Sequence, residues 1–134
     1  ALEELAAETQ RRSAVVCRFH AEKGAQVKNH FAASHLFRIA QEAVANAMRH
    51  GQPREISIRL STGPGQTVLE VANDGLPFST EKALNGGMGL RTMRYRCDLI
   101  GAQLTIQPGQ SGGAVLTCVL PASAASGGGN ERCP

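Results

Sequence analysis

Glu42, Asn46 and Arg49 recur at steps of four and three within "LFRIAQEAVANAMRHG" (36–51), a stretch whose spacing predicts a helix. At about 100° per residue, Glu42 and Asn46 fall about 40° apart and one turn separated, so their side chains stack along one line. A carboxylate, an amide oxygen and a guanidinium in one row are what a metal–phosphate site needs. Hard oxygen ligands suit Mg²⁺, which keeps several waters and takes few protein ligands, and Arg can neutralise phosphate. A solvated helix face would also accept Glu42 and Arg49, but Asn is a mediocre helix former with no need to sit mid-helix. A second stretch, "ALNGGMGLRTMRYR" (83–96), packs Gly86, Gly87 and Gly89 ahead of a helical pattern. Bare backbone in front of a helix N-terminus is either a capped loop or a place where an anion meets unpaired N–H groups.

Composition narrows the classes. The chain has 134 residues, 42% hydrophobic and 19% charged, which fits one globular domain. No apolar run approaches the roughly 20 residues of a membrane span, and no signal-peptide pattern opens the chain. A net charge of +3 with no Trp and one Tyr argues against nucleic-acid binding. Cys17, Cys97, Cys118 and Cys133 show neither zinc spacing nor a disulfide framework, so reduced thiols in the cytoplasm are expected. No GxxxxGK[ST] occurs, and "GMGLRT" lacks the third glycine of a dinucleotide fingerprint.

The elements that must position these residues follow from periodicity. Residues 1–12 read as a helix with acids early and arginines late. Residues 14–20 read as a strand, and Ser34 is the expected N-cap of a helix from His35 to His50, stopped by Gly51 and Pro53. Its stripe of Leu36, Ile39, Ala40, Ala43, Val44, Ala47 and Met48 is the core face. Residues 55–61 and 67–73 alternate as a hairpin around "GPGQ", a helix runs from Leu90 to Ile100, and 103–107 and 114–120 are two further strands. His20 is expected in a strand, His30 in a connection and His50 at a helix end. The tail from 122 to 134 is Gly/Ser-rich and reads as disordered. The fold class is α+β, a mixed and mostly antiparallel sheet with helices on one face.

Three blocks, in order, resemble one family. "EAVAN" (42–46) resembles the N-box of histidine-kinase-type ATPases, "NDGLPF" (73–78) the G1-box and "GGMGL" (86–90) the G2-box. The text around them is similar to sensor kinases of the nitrate/nitrite-sensor kind over about residues 14–121. The resemblance implies the ATP-binding catalytic domain of a two-component sensor histidine kinase, with the Bergerat α/β sandwich over 13–121 and residues 1–12 as the end of a dimerisation helix. It implies ATP and Mg²⁺ as ligands. Asn46 would be the metal ligand and Glu42 the catalytic acid. Arg49 and His50 would meet phosphate, and Asn73, Asp74 and Gly75 would lie beside adenine. Gly86, Gly87, Met88, Gly89 and Leu90 would form a short lid and anion-binding helix start. The implied partners are the histidine-bearing dimerisation domain and a response regulator, with no nucleic acid and no membrane contact by this domain. The implied location is cytoplasmic, with a membrane anchor elsewhere in a full-length protein left open.

The chain departs from the family pattern at three points. Asn73 stands where the G1 pattern begins with Asp, and Asp74 follows it, so either could anchor adenine. Pro77 stands at a usual glycine, and "SGGAV" replaces the more usual Gly-Thr before the last strand. None of the four histidines resembles an acceptor on a long helix. The competing readings are an anti-sigma-factor-type serine kinase and a degenerate nucleotide-binding regulatory module.

Overall fold

The computed structural model describes residues 1–76, 88–110 and 112–122. The elements are α1 (Leu2–Arg12), β1 (Val16–Ala21), α2 (His30–His50), β2 (Glu55–Gly63), β3 (Gln66–Asn73), α3 (Met88–Ile100), β4 (Gln103–Pro108) and β5 (Ala114–Pro121). The strands form one sheet in the order β1-β2-β3-β5-β4. β1 and β2 run parallel and the other neighbours antiparallel. A parallel pair needs a crossover, and α2 supplies it.

Strand alternation decides what faces the helices. Ile56, Ile58 and Leu60 are buried on β2 and pair with Asn73, Val71 and Leu69 on β3, whose row continues to Leu116 and Cys118 on β5. Against this face α2 buries Leu36, Ile39, Ala40, Ala43, Val44 and Ala47, and α3 buries Met93, Cys97 and Ile100. The alanines keep α2 close to the sheet. Ser57, Arg59, Glu70, Ala72 and Thr117 occupy the alternate positions and so the opposite face. The architecture is the expected mixed, mostly antiparallel α+β sandwich. α1 docks on the edge strand: Ala6 is buried, and Gln10 Oε1 accepts the Cys17 N–H at 3.0 Å. This pairs one of the donors that an edge strand otherwise leaves open.

The strands shift by one or two residues from the sequence reading, and α2 and α3 both start earlier than expected. α2 begins at His30, not His35. Its N-cap is Asn29 rather than Ser34, with Asn29 Oδ1 accepting the Ala32 N–H at 3.1 Å. Asn caps as well as Ser, and the earlier start buries Ala32 as one more member of the apolar stripe. His30 is therefore the first helical residue and not part of a connection. At the other end α2 stops at His50 with Gly51 as its cap, as expected, and Gln52 beyond it is left-handed at φ 48°. α3 starts at Met88, so Gly89 lies inside its first turn rather than ahead of it. Gly86, Gly87, Pro77, Phe78, Cys133 and the tail from Ser123 lie outside the described residues.

Candidate functional site

The last two turns of α2 carry the row foreseen from spacing. Arg49 Nη2 donates to Asn46 Oδ1 at 2.5 Å and to Glu42 Oε2 at 3.2 Å. Three side chains at 42, 46 and 49 thus converge on one point at the solvent edge, with Glu42 and Asn46 half-buried and Arg49 exposed. The negative end of the α2 dipole favours a cation at Arg49. His50, the last residue of the helix, is exposed.

α3 brings the glycine segment to this row. A Cβ at Gly89 would collide with the Glu42 carboxylate and lie 3.2 Å from both polar atoms of the Asn46 amide. Glycine in a helix is ordinarily a cost of about 1 kcal/mol relative to Ala; here it lets α3 approach the row without displacing the Glu42 carboxylate. Met88, Gly89 and Leu90 form the first turn of α3, whose N–H groups lack intrahelical partners and carry the positive end of the dipole. The Leu90 side chain packs against the core.

The third piece lies where β3 ends. Register places Asn73 opposite Ile56, on the helix-facing side of the sheet. Its Oδ1 accepts the Gly75 N–H at 2.9 Å and is crowded by glycines from three segments. A Cβ would lie 3.4 Å from that oxygen at Gly51 and 3.1 Å at Gly75, and one at Gly113 would run into the Asn73 backbone. Leu76 N–H donates to the Gly51 carbonyl at 2.6 Å, which ties this turn to the end of α2. Asp74 turns the other way: its Oδ1 accepts from the backbone N–H groups of Arg54 and Glu55, each at 2.9 Å. Those bonds, Glu55 first and Arg54 second, hold its carboxyl below the usual carboxylate range.

Some neighbours were not foreseen. A cleft of about 240 Å³ between α2 and α3 runs alongside Glu42 and is lined by Arg38, Gln41, Thr92 and Arg96. Arg96 Nη1 donates to His35 Nδ1 at 3.1 Å, and burial together with that guanidinium pushes the His35 pKa down. The signal for Arg38 was its place one turn before Glu42. Gly112 and Gly113, both at positive φ, were noted only within the departure before the last strand and not as neighbours of Asn73.

The donors fit Mg²⁺. Asn46 Oδ1 and Glu42 Oε2 are hard oxygens that already share one cationic partner. Among the described residues no three His, Cys, Asp or Glu side chains converge, so a metal here would be completed by waters and phosphate oxygens. Cys17, Cys97 and Cys118 are free and buried, and no described helix is long and apolar enough to cross a membrane.

Comparison with known proteins follows the same blocks. The sequence profile of the family described as histidine kinase-, DNA gyrase B-, and HSP90-like ATPase matches residues 32–124. The nitrate/nitrite sensor protein NarQ of Escherichia coli is 33% identical over 84 residues, 62% of this chain and 15% of NarQ. The sensor protein VraS of Staphylococcus aureus is 35% identical over 72 residues, 54% of this chain and 21% of VraS. The chain thus spans only a small part of these relatives. Among solved structures, the ATP-binding domain of PrrB from Mycobacterium tuberculosis superposes with a TM-score of 0.73 at 17% identity, over 90% of both chains. The blue-light-activated histidine kinase EL346 of Erythrobacter litoralis gives 0.76 at 21% identity, over 90% of this chain and 40% of its own. With the fold matched by the structures and the profile covering the row, the β3 turn and the start of α3, the chain belongs to the histidine kinase-, DNA gyrase B- and HSP90-like ATPase family.

Proposed function

We propose that this chain binds Mg-ATP and donates the γ-phosphoryl group to a histidine on a separate dimerisation domain, as the cytoplasmic catalytic part of a two-component sensor kinase that feeds a response regulator. The observation that supports this best is the approach of Gly89, in the first turn of α3, to the Glu42–Asn46 pair on α2. Phosphoryl transfer asks little covalent chemistry of the protein and depends on positioning and charge neutralisation. The residues divide that work by location. The N–H groups of Met88, Gly89 and Leu90 offer the positive end of α3 to phosphate oxygens. Arg49, exposed and paired with Glu42 and Asn46 in the structure, would turn to the triphosphate, and His50 stands beside it. Asn73 presents an amide oxygen toward the helix side, where it can accept the adenine amino proton beside the Gly75 N–H, and Gly75, close against the Gly51 carbonyl, keeps that turn tight. Glu42 lies at the mouth of the α2–α3 cleft and can accept a hydrogen bond from the ring N–H of an acceptor histidine, orienting it. When bound, Mg²⁺ neutralises charge on the phosphate oxygens, and Asn46 Oδ1, with Glu42 beside it, is the group that would hold it.

The test is calorimetric titration of ATP with and without Mg²⁺ on the native chain and on Asn46→Ala. The native chain should bind ATP more tightly with Mg²⁺, and Asn46→Ala should lose that increment while keeping its thermal transition, because residue 46 is off the apolar stripe. An unchanged Mg²⁺ increment in Asn46→Ala would show that the assigned ligand is wrong.

A further inference from the structure

We propose that Arg49 is the resident cation of the metal-free site: its guanidinium occupies the oxygens that a divalent ion needs, and nucleotide phosphates draw it away. The inference rests on the Mg-ATP reading above. One nitrogen, Nη2, bridges Asn46 Oδ1 and Glu42 Oε2. A guanidinium has five donors and no acceptor, and an anionic triphosphate offers it bidentate partners that an amide oxygen cannot match. A divalent ion within bonding distance of Asn46 Oδ1 would face the guanidinium at close range, so the two cations exclude each other from that oxygen. Among the described residues Arg49 is held only by that bridge: its side chain is 55% exposed and lies in the last turn of α2, open to solvent.

The consequence is coupling. Metal alone meets a site already neutralised, whereas nucleotide removes the competing cation and uncovers the oxygens. Divalent ion and nucleotide therefore bind with positive cooperativity that passes through Arg49. Arg49 acts here as a positioning residue, distinct from its direct contact with phosphate. That contact alone would strengthen nucleotide binding and leave the bare metal untouched.

The experiment titrates Mn²⁺, followed by the paramagnetic resonance signal of the free ion, into the native chain, Arg49→Met and Arg49→Met/Asn46→Ala, each without nucleotide and with saturating ADP. Circular dichroism checks folding, which the exposed position of Arg49 should preserve. Without nucleotide, Arg49→Met should bind Mn²⁺ about threefold to tenfold more tightly than the native chain, the scale of a charged hydrogen bond released. Adding Asn46→Ala should cancel the gain, and the enhancement of Mn²⁺ binding by ADP should shrink in Arg49→Met by a similar factor. Equal Mn²⁺ affinity in the native chain and folded Arg49→Met overturns the proposal. So does a gain that survives Asn46→Ala, since Arg49 would then act only as a distant charge. An ATP affinity whose Mg²⁺ increment is unchanged in Asn46→Ala alone instead removes the reading on which the proposal stands.

Discussion

At the scale of single residues, the contrast between Asn73 and Asp74 shows what adjacent polar side chains at a strand end can be made to do. Alternation along β3 sends Asn73 to the helix side, and Asp74, just past the strand, closes on the Arg54 and Glu55 amides. The alternation was legible in the sequence. The amide partners, 20 and 19 residues away, were not, because they depend on the β2–β3 register. Two substitutions should therefore separate binding from stability. Asn73→Asp should tighten ATP about fivefold, since a carboxylate makes the bond to the adenine amino group charge-assisted, a gain of roughly 1 kcal/mol. Asp74→Asn should leave ATP affinity unchanged but lower stability at neutral pH. The Asp74 carboxyl is held below its ordinary value, so its contribution is complete above the unfolded value of about 3.9 and is lost as the pH falls through the lowered folded value. The deficit of Asp74→Asn in urea denaturation should accordingly shrink as the medium is made acid. Loss of ATP binding in Asp74→Asn, with none of the expected gain in Asn73→Asp, would make Asp74 the anchor.

At the scale of elements, α2 was legible where its side chains are large and ambiguous where they are small. Leu36, Ile39 and Val44 give the period unmistakably, but the first turn rests on Ala32, too weak a signal to decide between Asn29 and Ser34 as the cap. Burial chose: capping at Asn29 buries one further turn against the sheet. Asn29→Ala should cost about 1 kcal/mol of unfolding free energy. Ser34→Ala, at an exposed mid-helix position, should stay within about 0.5 kcal/mol of the native chain. Urea denaturation of both variants decides, and the reverse order would restore Ser34 as the cap. The β2–β3 hairpin was equally plain, since two alternating runs flank a glycine turn. The insertion of β5 between β3 and β4 was not, because strand order is set by which apolar faces meet across the sheet and not by any local pattern. The start of α3 was misread for a related reason: Gly89 is a poor helix residue by propensity, and the closeness of the Glu42 carboxylate, which favours glycine there, is not visible in the local sequence.

At the scale of the whole molecule, the four histidines are distributed in a way that bears on where a phosphoryl group can go. Reaction geometry requires the attacking nitrogen roughly 3–3.5 Å from phosphorus, in line with the leaving oxygen. His30 stands twelve residues before Glu42 on the same helix, roughly 18 Å along its axis, and His35 stands seven before it, roughly 10 Å away. The His35 ring is engaged by Arg96 and lies edge-on to Phe31 with centroids 4.7 Å apart. His20 is exposed on β1, across the sheet edge from α2. Only His50 stands close to the row, next to Arg49 in the exposed last turn of α2. Under the proposed function, a chain so arranged would supply the donor half of a transfer site and hold no histidine for attack. Incubation with γ-labelled ATP and Mg²⁺ should therefore leave this chain unlabelled, while a separate helical domain bearing a histidine should acquire acid-labile, base-stable label when mixed with it. The two arms are independent. Label on His20, His30, His35 or His50 would overturn the first. No transfer to any such domain, from a chain that binds Mg-ATP, would count against phosphoryl donation and in favour of a binding module that uses the same pocket without the reaction.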